Sequence, residues 1–518
     1  MKTRSVIQAG LMLWGLPVVA AAQFTFVTNT DNTITITGYS GNEPVLNLPV
    51  AINGFPVTAI GTNAFYFKST LTQVTIPDSV NFINDWAFGH CTGLTNVTMG
   101  NGVASIGGWA FADCTGLREA VLPAAVVTIG TDSFLHCSSL TNLTVPNSVT
   151  NIGEGAFLEC YQLPTVAIPA SVLNIGAEAF VECYGLTNIA VDAANPDYTG
   201  AGGVLFDKTM STLIQCPGGL AGNYVIPAGV ATIGDMAFYN CFGLTNVTMP
   251  DSVTSIGQWG FMGCSGLVSV TVPGQVADLR DSVFSYRTGL LNATIPDSVT
   301  NIGGDAFYSC SSLANITLGN NIHSIGFSAF KGCSHLATLT IPDSVTMIDD
   351  WAFMDCAGLT NVVVGSSVTN LGLYAFWNCP ELQQACFRGD APSVDGAAGG
   401  TDSTVFGGES GTAYYLPGTA GWCRTFGGWP TAWWYQFQPR PRILGADYGL
   451  GVQTNGFHFA IFWATNAAVV VEACTNLANP DWQPVQTNTL TTGSADFSDG
   501  LWTNFPERYY RVHSQLEQ

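Results

Sequence analysis

The chain has 518 residues, of which 47% are hydrophobic and only 10% charged, less than half the roughly 25% charged content usual in soluble domains, and this excludes intrinsic disorder. Lys and Arg number 14 against 36 Asp and Glu, with lysine only at Lys2, Lys68, Lys208 and Lys331, so no basic face exists to neutralise phosphates, and nucleic acid and anionic membrane surfaces are poor partners. With 58 Gly and 25 Pro, the composition suits frequent turns between short strands, hence an all-β or solenoid architecture.

The first 22 residues read as an export signal. Met1-Lys2-Thr3-Arg4 carries two positive charges, Val6 to Val19 is largely apolar, and Ala20-Ala21-Ala22 offers the small residues of a cleavage site before Gln23. A spanning helix needs about 20 apolar residues, which neither this run nor any later segment supplies. The mature chain is expected to be secreted or held at the cell surface without a transmembrane segment. No Cys follows the cleavage site, which argues against lipoprotein anchoring.

From here the chain is organised by a period of 23 residues, the mark of a solenoid. Cys91, Cys114, Cys137, Cys160 and Cys183 keep this spacing, as do Cys241 and Cys264, then Cys310, Cys333, Cys356 and Cys379. Lys68 and Arg287 take the first and the missing slot. A Leu follows each slot by three, from Leu71 to Leu186 and from Leu244 to Leu382, and a Phe precedes it by three, from Phe65 to Phe180 and from Phe238 to Phe376. Residues 23–64 repeat only in part, with Val57-x-x-Ile60-Gly61, and are expected to cap the N-terminal end, because end coils otherwise expose apolar columns and unpaired edges.

One coil reads Leu94-x-x-Val97-x-Met99, a turn, then Val103-x-x-Ile106-Gly107-x-x-Ala110-Phe111-x-x-Cys114. The first part alternates as a strand does. Pro77-Asp78-Ser79 and its counterpart Pro296-Asp297-Ser298 stop the strand, the proline lacking a donor and the Asp/Ser pair capping its own turn. The second part is too short for a stable helix alone. Fourteen slots at the strand spacing predict on the order of 70 Å of solenoid over 65–388. A long irregular coil, 186–220, contains an extra strand at Gly203-Val204-Leu205-Phe206, and Ala221 holds the next Leu slot. Past Cys379 the phase is lost: 389–442 reads as C-terminal cap and linker, ending in Pro439-Arg440-Pro441-Arg442, and 443–518 as a small β-sandwich-like domain.

The pattern Ile-Pro-x-x-Val-x-x-Ile-Gly-x-x-Ala-Phe-x-x-Cys-x-x-Leu, kept in one phase over roughly 45 to 388, resembles the BspA-like class of bacterial leucine-rich repeats. The long coil, with Tyr224-Val225-Ile226-Pro227 after it, is similar to a variant that interrupts such arrays. The resemblance implies a curved right-handed solenoid on secreted or surface proteins, used for adhesion and protein–protein contact, with no catalytic residues to carry over.

Fifteen cysteines in an exported chain raise the question of disulfides. Eleven share one repeat phase, so they are read as a column of buried thiols acting as small apolar fillers, while Cys216, Cys386, Cys423 and Cys474 lie off phase with their pairing open. No C-x-x-C pair or Cys/His cluster appears, so no metal is expected. The histidines are His90, His136, His323, His335, His458 and His513; His90 and His136 precede a Cys slot and superficially resemble catalytic pairs, but a repeated position is a structural one and no activating third group is evident. No esterase, zincin, phosphate-loop or calcium-loop motif is present, and no carboxylate pair stands out. No cofactor and no enzymatic activity are expected.

Strand alternation turns outward the pairs Asn96/Thr98, Asn142/Thr144, Asn246/Thr248, Asn292/Thr294 and Asn315/Thr317, an Asn column and a Thr column on one sheet, interrupted at Glu119/Val121, Thr165/Ala167 and Gln384/Cys386. This is the candidate partner-binding face. The match to N-x-T glycosylation acceptors follows from alternation. Trp86, Trp109, Trp259, Trp351 and Tyr374 share a phase two before the Phe and are either partner anchors or packed over the convex side. The expectation is an exported, non-enzymatic protein that binds a protein or extracellular-matrix ligand through its repeat surface; a polysaccharide-binding accessory protein and a structural envelope component are the alternatives.

Overall fold

The structure, a computed structural model, describes residues 23–394, 404–407, 410–434, 442–443, 451–453, 456–462, 467–477, 480–490 and 494–514. The expected export signal and most of the expected linker lie outside the described residues. The chain is a β-solenoid of about 16 turns, with no α-helix among the described residues. The two turns beyond the fourteen counted slots arise at the ends, where the repeat consensus is lost but strand pairing continues. Val45–Asn47 pairs in parallel with Gln73–Thr75, and Thr412–Tyr415 with Gln384–Phe387. Compact packing divides the chain into two units. The first comprises Met1–Ala337, Ile348–Leu359 and Tyr374–Cys379, the second Thr338–Met347, Thr360–Leu373 and Pro380–Gln518.

In the first unit a coil contributes a strand of three to five residues, such as Asn96–Thr98, exposed, buried, exposed, and a two-residue strand such as Ser105–Ile106. Both pair in parallel with the same positions 23 residues on, as in Gln73↔Asn96 and Phe82↔Ser105. A third ladder joins the turns: the N–H groups of Trp86, Phe88 and His90 donate to the carbonyls of Gly108, Ala110 and Ala112 at 3.0, 2.8 and 2.8 Å. Left-handed backbone recurs twice per arc, at Trp86 and His90 (φ 57° and 58°), Trp109 and Asp113 (52° and 57°). Such residues have helical-looking spacing but cannot extend a right-handed helix, because a positive φ winds the backbone with the opposite hand.

The Asp of the proline turn does not cap its own turn. Asp78 Oδ1 accepts from the N–H of Asn101 at 2.7 Å, and Asp297 from Asn320 at 2.7 Å, each one coil further on. The turn aspartate is therefore a rung between coils, satisfying a donor the proline-stopped ladder leaves over. Inside, the phenylalanines stack from Phe65 to Phe180 and again from Phe238 to Phe376, neighbouring ring centroids lying 4.7–5.8 Å apart.

The irregular coil explains the break. Tyr198–Ala201, Val204–Asp207 and Thr212–Gln215 form an antiparallel meander, and Thr212–Gln215 then joins the two-residue ladder through Leu213↔Ile233. The expected Leu slot at Ala221 is exposed. Leu220 takes its hydrogen bond instead, its N–H donating to Pro217 as that of Leu244 does to Cys241. From Leu213 to Leu220 is seven residues, where Ile233 to Leu244 takes eleven. The coil has gained a hairpin and lost the Gly-x-x-Ala arc, and the N–H of Cys216, which donates to Ala237 at 2.7 Å, stands where a Phe N–H would.

In the second unit Thr338–Thr340, Asn361–Val364, Gln384–Phe387, Thr412–Tyr415 and Trp429–Trp433 form one parallel ladder closed by the antiparallel Thr425–Phe426. Phe406 stacks on Trp429 at 4.0 Å and Tyr415 on Trp422 at 5.0 Å. Gly456–Phe462 is the centre of one antiparallel sheet and Ala467–Cys474 of another, and Phe459, Ile461, Val469, Val471, Leu490 and Phe497 are buried together.

Candidate binding surface

The cysteine column has a defined chemistry. Cys91, Cys114, Cys137, Cys160 and Cys183 donate their thiols to the carbonyls of Phe65, Phe88, Phe111, Phe134 and Phe157, 26 residues back, at 3.1–3.3 Å. Cys264, Cys310, Cys333, Cys356 and Cys379 repeat the contact with Phe238, Phe284, Phe307, Phe330 and Phe353 at 2.9–3.3 Å. Cys241 differs, reaching the carbonyls of Cys216 and Pro217 at 3.9 and 3.8 Å, because the shortened coil has no Phe carbonyl to offer. Most of these Phe carbonyls already accept the N–H three residues on, as Phe88 does from Cys91 at 3.2 Å, so the thiol, a weak donor, adds a second bond to the carbonyl that Ala in the slot would lack. Burial pushes the Cys91 thiol up to about 12, so it is held as thiol rather than nucleophilic thiolate.

Cys216, Cys386 and Cys474 are also buried and unbridged, and Cys423 is the exposed one. A thiol reagent added to the folded protein is therefore expected to modify Cys423 alone. Denaturation without reductant should release all fifteen. Recovery of disulfide-linked peptides from adjacent coils would overturn the assignment.

The histidines are held differently from what their sequence context implied. A third group does stand beside them: Asp113 lies between the rings, 2.8 Å from His136 Nδ1 and 3.3 Å from His90 Nδ1. His90 and His136 occupy left-handed positions with their rings toward the surface, whereas Cys91 and Cys137 point inward to carbonyls. Asp113 and the imidazoles lie together on one side and the thiols of Cys91 and Cys137 on the other, so neither thiol is poised against these histidines. Among the described residues no group of three or more His, Cys, Asp or Glu is arranged to hold a metal ion.

All ten residues of the Asn and Thr columns, Asn96, Thr98, Asn142, Thr144, Asn246, Thr248, Asn292, Thr294, Asn315 and Thr317, are exposed. They occupy three sheets rather than one, since the ladder of outward strands is interrupted after Asn142–Thr144, after Asn188–Val191 and after Leu244–Thr248. With so few residues per rung, small changes in turn geometry remove the bonds that join neighbours. Side chains bridge coils within a sheet: Asn315 Nδ2 donates to Asn292 Oδ1 at 3.0 Å and Asn142 Nδ2 to Glu119 Oε1 at 2.7 Å.

In the second unit Thr338, Thr340 and Gln384 stay exposed at the outward positions, but two others are covered. Val363 and Cys386 are buried with Trp434, against Tyr414 and Leu416. Sequence alternation alone could not show this, because the covering residue lies outside the repeat. Trp86, Trp109, Trp259, Trp351 and Tyr374 all sit at the first left-handed position of their arcs. Trp86 and Trp109 stack at 5.4 Å, and Phe67 stacks on His90 at 4.5 Å.

The BspA type leucine rich repeat region matches this sequence in six copies, over residues 58–187, 221–333 and 300–396. A leucine rich cell surface protein of Faecalibacterium prausnitzii is 30% identical, over 71% of this chain and 94% of its own, with a TM-score of 0.46. The pneumococcal vaccine antigen PcpA is 18% identical over 76% of this chain and 92% of its own, with a TM-score of 0.51. A leucine-rich repeat protein of Eubacterium ventriosum is 21% identical over 70% and 88%, with a TM-score of 0.50. No curated protein matches the chain. With repeats in one phase, a thiol column bonded to the Phe carbonyls and a matching profile over more than half its length, the chain belongs to the BspA-type leucine-rich repeat family.

Proposed function

We propose that the protein is an exported, non-enzymatic binding protein, secreted or held at the cell surface, that engages a protein or extracellular-matrix ligand through the outward strand positions of the first unit. The observation that carries this reading is the division of labour within each rung: Val97 and Ala293 are buried and Leu143, Val247 and Ile316 half-buried, while the flanking Asn and Thr are exposed in register. Outward residues can vary there without touching the core, which is how solenoids build extended recognition surfaces. The face carries little charge and few aromatics, so contacts are weak singly and spread over many coils. Membership of a family that includes a leucine rich cell surface protein supports the same setting. The signal at 1–22, the caps at 23–64 and 389–442 and a separate domain at 443–518 belong to this proposal.

The test begins with capture of the partner by the mature chain. Changing Asn246, Thr248, Asn292, Thr294, Asn315 and Thr317 together to Lys is expected to abolish binding of that partner with an unchanged circular dichroism spectrum. Binding that survives this change, and is lost when Trp86, Trp109 and Trp259 become Ala in a folded protein, would move the site to the left-handed arcs. Retention on a glycan array, with loss of protein capture, would favour the polysaccharide reading.

A further inference from the structure

The shortened coil leaves a cavity of about 330 Å³ in the first unit. Its floor is Phe180 and Leu205, both fully buried, and its rim carries Glu178, Asp235, Met236 and Trp259. In the coil before it the N–H groups of Gly155 and Phe157 donate to the carbonyls of Ala177 and Ala179 at 2.9 and 3.0 Å. The equivalent donors one coil later belong to Glu178 and Phe180, and the coil they face is two residues shorter there, Leu213 to Cys216 spanning three residues where Ile233 to Phe238 spans five. Among the described residues neither N–H finds an acceptor. An unpaired main-chain donor at the edge of a ladder is a template for another strand-like segment.

The charge at the rim is one-sided. Asp132, Glu154 and Glu178 follow one another on successive arcs. Burial first, and then the charges of Glu154 and Asp132, raise the Glu178 carboxyl above its ordinary range. Asp235 is the second carboxylate that lines the cavity; one of its oxygens accepts from the N–H of Gln258 at 2.8 Å, and Arg280 reaches it only at 3.8 Å across open surface. Trp259 also lines the cavity, and an indole ring can pack against an alkyl chain and take its terminal cation over the ring face.

We infer that this cavity is a binding slot for an extended basic peptide segment, whose main-chain carbonyls take the Glu178 and Phe180 N–H groups, whose apolar side chain enters over Phe180 and Leu205, and whose lysine or arginine lies between Glu178, Asp235 and Trp259. Two donors two residues apart on one arc ask for acceptors at main-chain spacing, which a free amine does not have; the mode is strand addition of three or four residues. This site is separate from the Asn and Thr face and does not rest on it.

The experiment uses the mature full-length chain and a fluorescent hexapeptide of alternating leucine and lysine, read by anisotropy. Saturable binding is expected. The leucine–glutamate counterpart should bind about tenfold more weakly or not at all, since like charge at a rim opposes docking. Ala177→Trp fills the mouth from an exposed position and should reduce affinity about tenfold or more, and Glu178→Gln should weaken the lysine peptide severalfold while leaving a leucine–serine peptide unchanged.

Failure of the lysine peptide to bind at millimolar concentration overturns the inference, as does equal affinity for the lysine and glutamate peptides or for Ala177→Trp. Full displacement by butylammonium would show that a cation suffices and would also overturn it. The sixfold lysine change on the strand face should leave this peptide's affinity unchanged, so the two sites fail independently.

Discussion

Replacing Arg287 by methionine is expected to stabilise the protein, by about 1–4 kcal/mol on the scale of buried charges exchanged for apolar residues of similar volume. Arg287 holds a cysteine slot and is fully buried, and Nε, Nη1 and Nη2 have no hydrogen-bond partner. Burial disfavours its charged form. The compensation present is the faces of Phe284 and Phe261, whose ring centroids lie 5.2 and 6.0 Å from the guanidinium carbon, worth roughly 2 kcal/mol when desolvated. That is less than the several kcal/mol a buried ion costs after relaxation.

Methionine keeps the length of the side chain and removes both the charge and the orphaned donors. Arg287→Cys restores the column and should place a thiol on the Phe261 carbonyl, the acceptor 26 residues back that every regular slot uses. Both variants should raise the urea midpoint. A lower midpoint for both would mean that the guanidinium is satisfied in solution by a bound anion or water, and the argument from unpaired donors would be wrong.

The second large effect is expected in the aromatic column. Phe307 is fully buried between Phe284 and Phe330, at 5.2 and 5.1 Å. Phe307→Ala should cost about 3–5 kcal/mol, the transfer loss plus the cavity left in a close-packed stack. Phe180 stacks on Phe157 at 5.7 Å and borders the cavity of the shortened coil on its other side. Phe180→Ala should therefore cost less, because the site already has unfilled volume and loses fewer contacts. Denaturant titration of the two variants under one condition makes the comparison. Because solenoid stability is a sum of coil and interface terms, a broad or two-step transition for Phe307→Ala would place the weak interface at that coil. Equal losses at the two positions would refute the idea that the stack is the stabilising unit.

The sequence by itself determined the period, the architecture and the interior of the regular coils. Each of these is set by repetition of local chemistry: an apolar residue in the same phase in consecutive coils can be buried only against its counterparts, whatever the outer residues are. The exposure of Asn96, Thr98 and their equivalents follows from strand alternation in the same way. Only the tertiary structure decided what depends on local backbone geometry, on a neighbour in another coil or on a neighbour outside the repeat. Left-handed backbone at Trp86 and His90 placed those rings on the surface, and Asp113 came between two histidines because coils stack in register.

The turn aspartates bond across coils rather than within them, since the nearest unpaired donor in space is one coil away. Trp434 buries Val363 and Cys386 from a part of the chain with no repeat phase. Leu220 displaced Ala221 from the Leu slot, and the same four-residue shortening opened the cavity beside Phe180. A count of phases registers such a coil as an insertion, whereas in space it is a gain of one hairpin and a loss of one arc, and the loss leaves donors and volume unfilled.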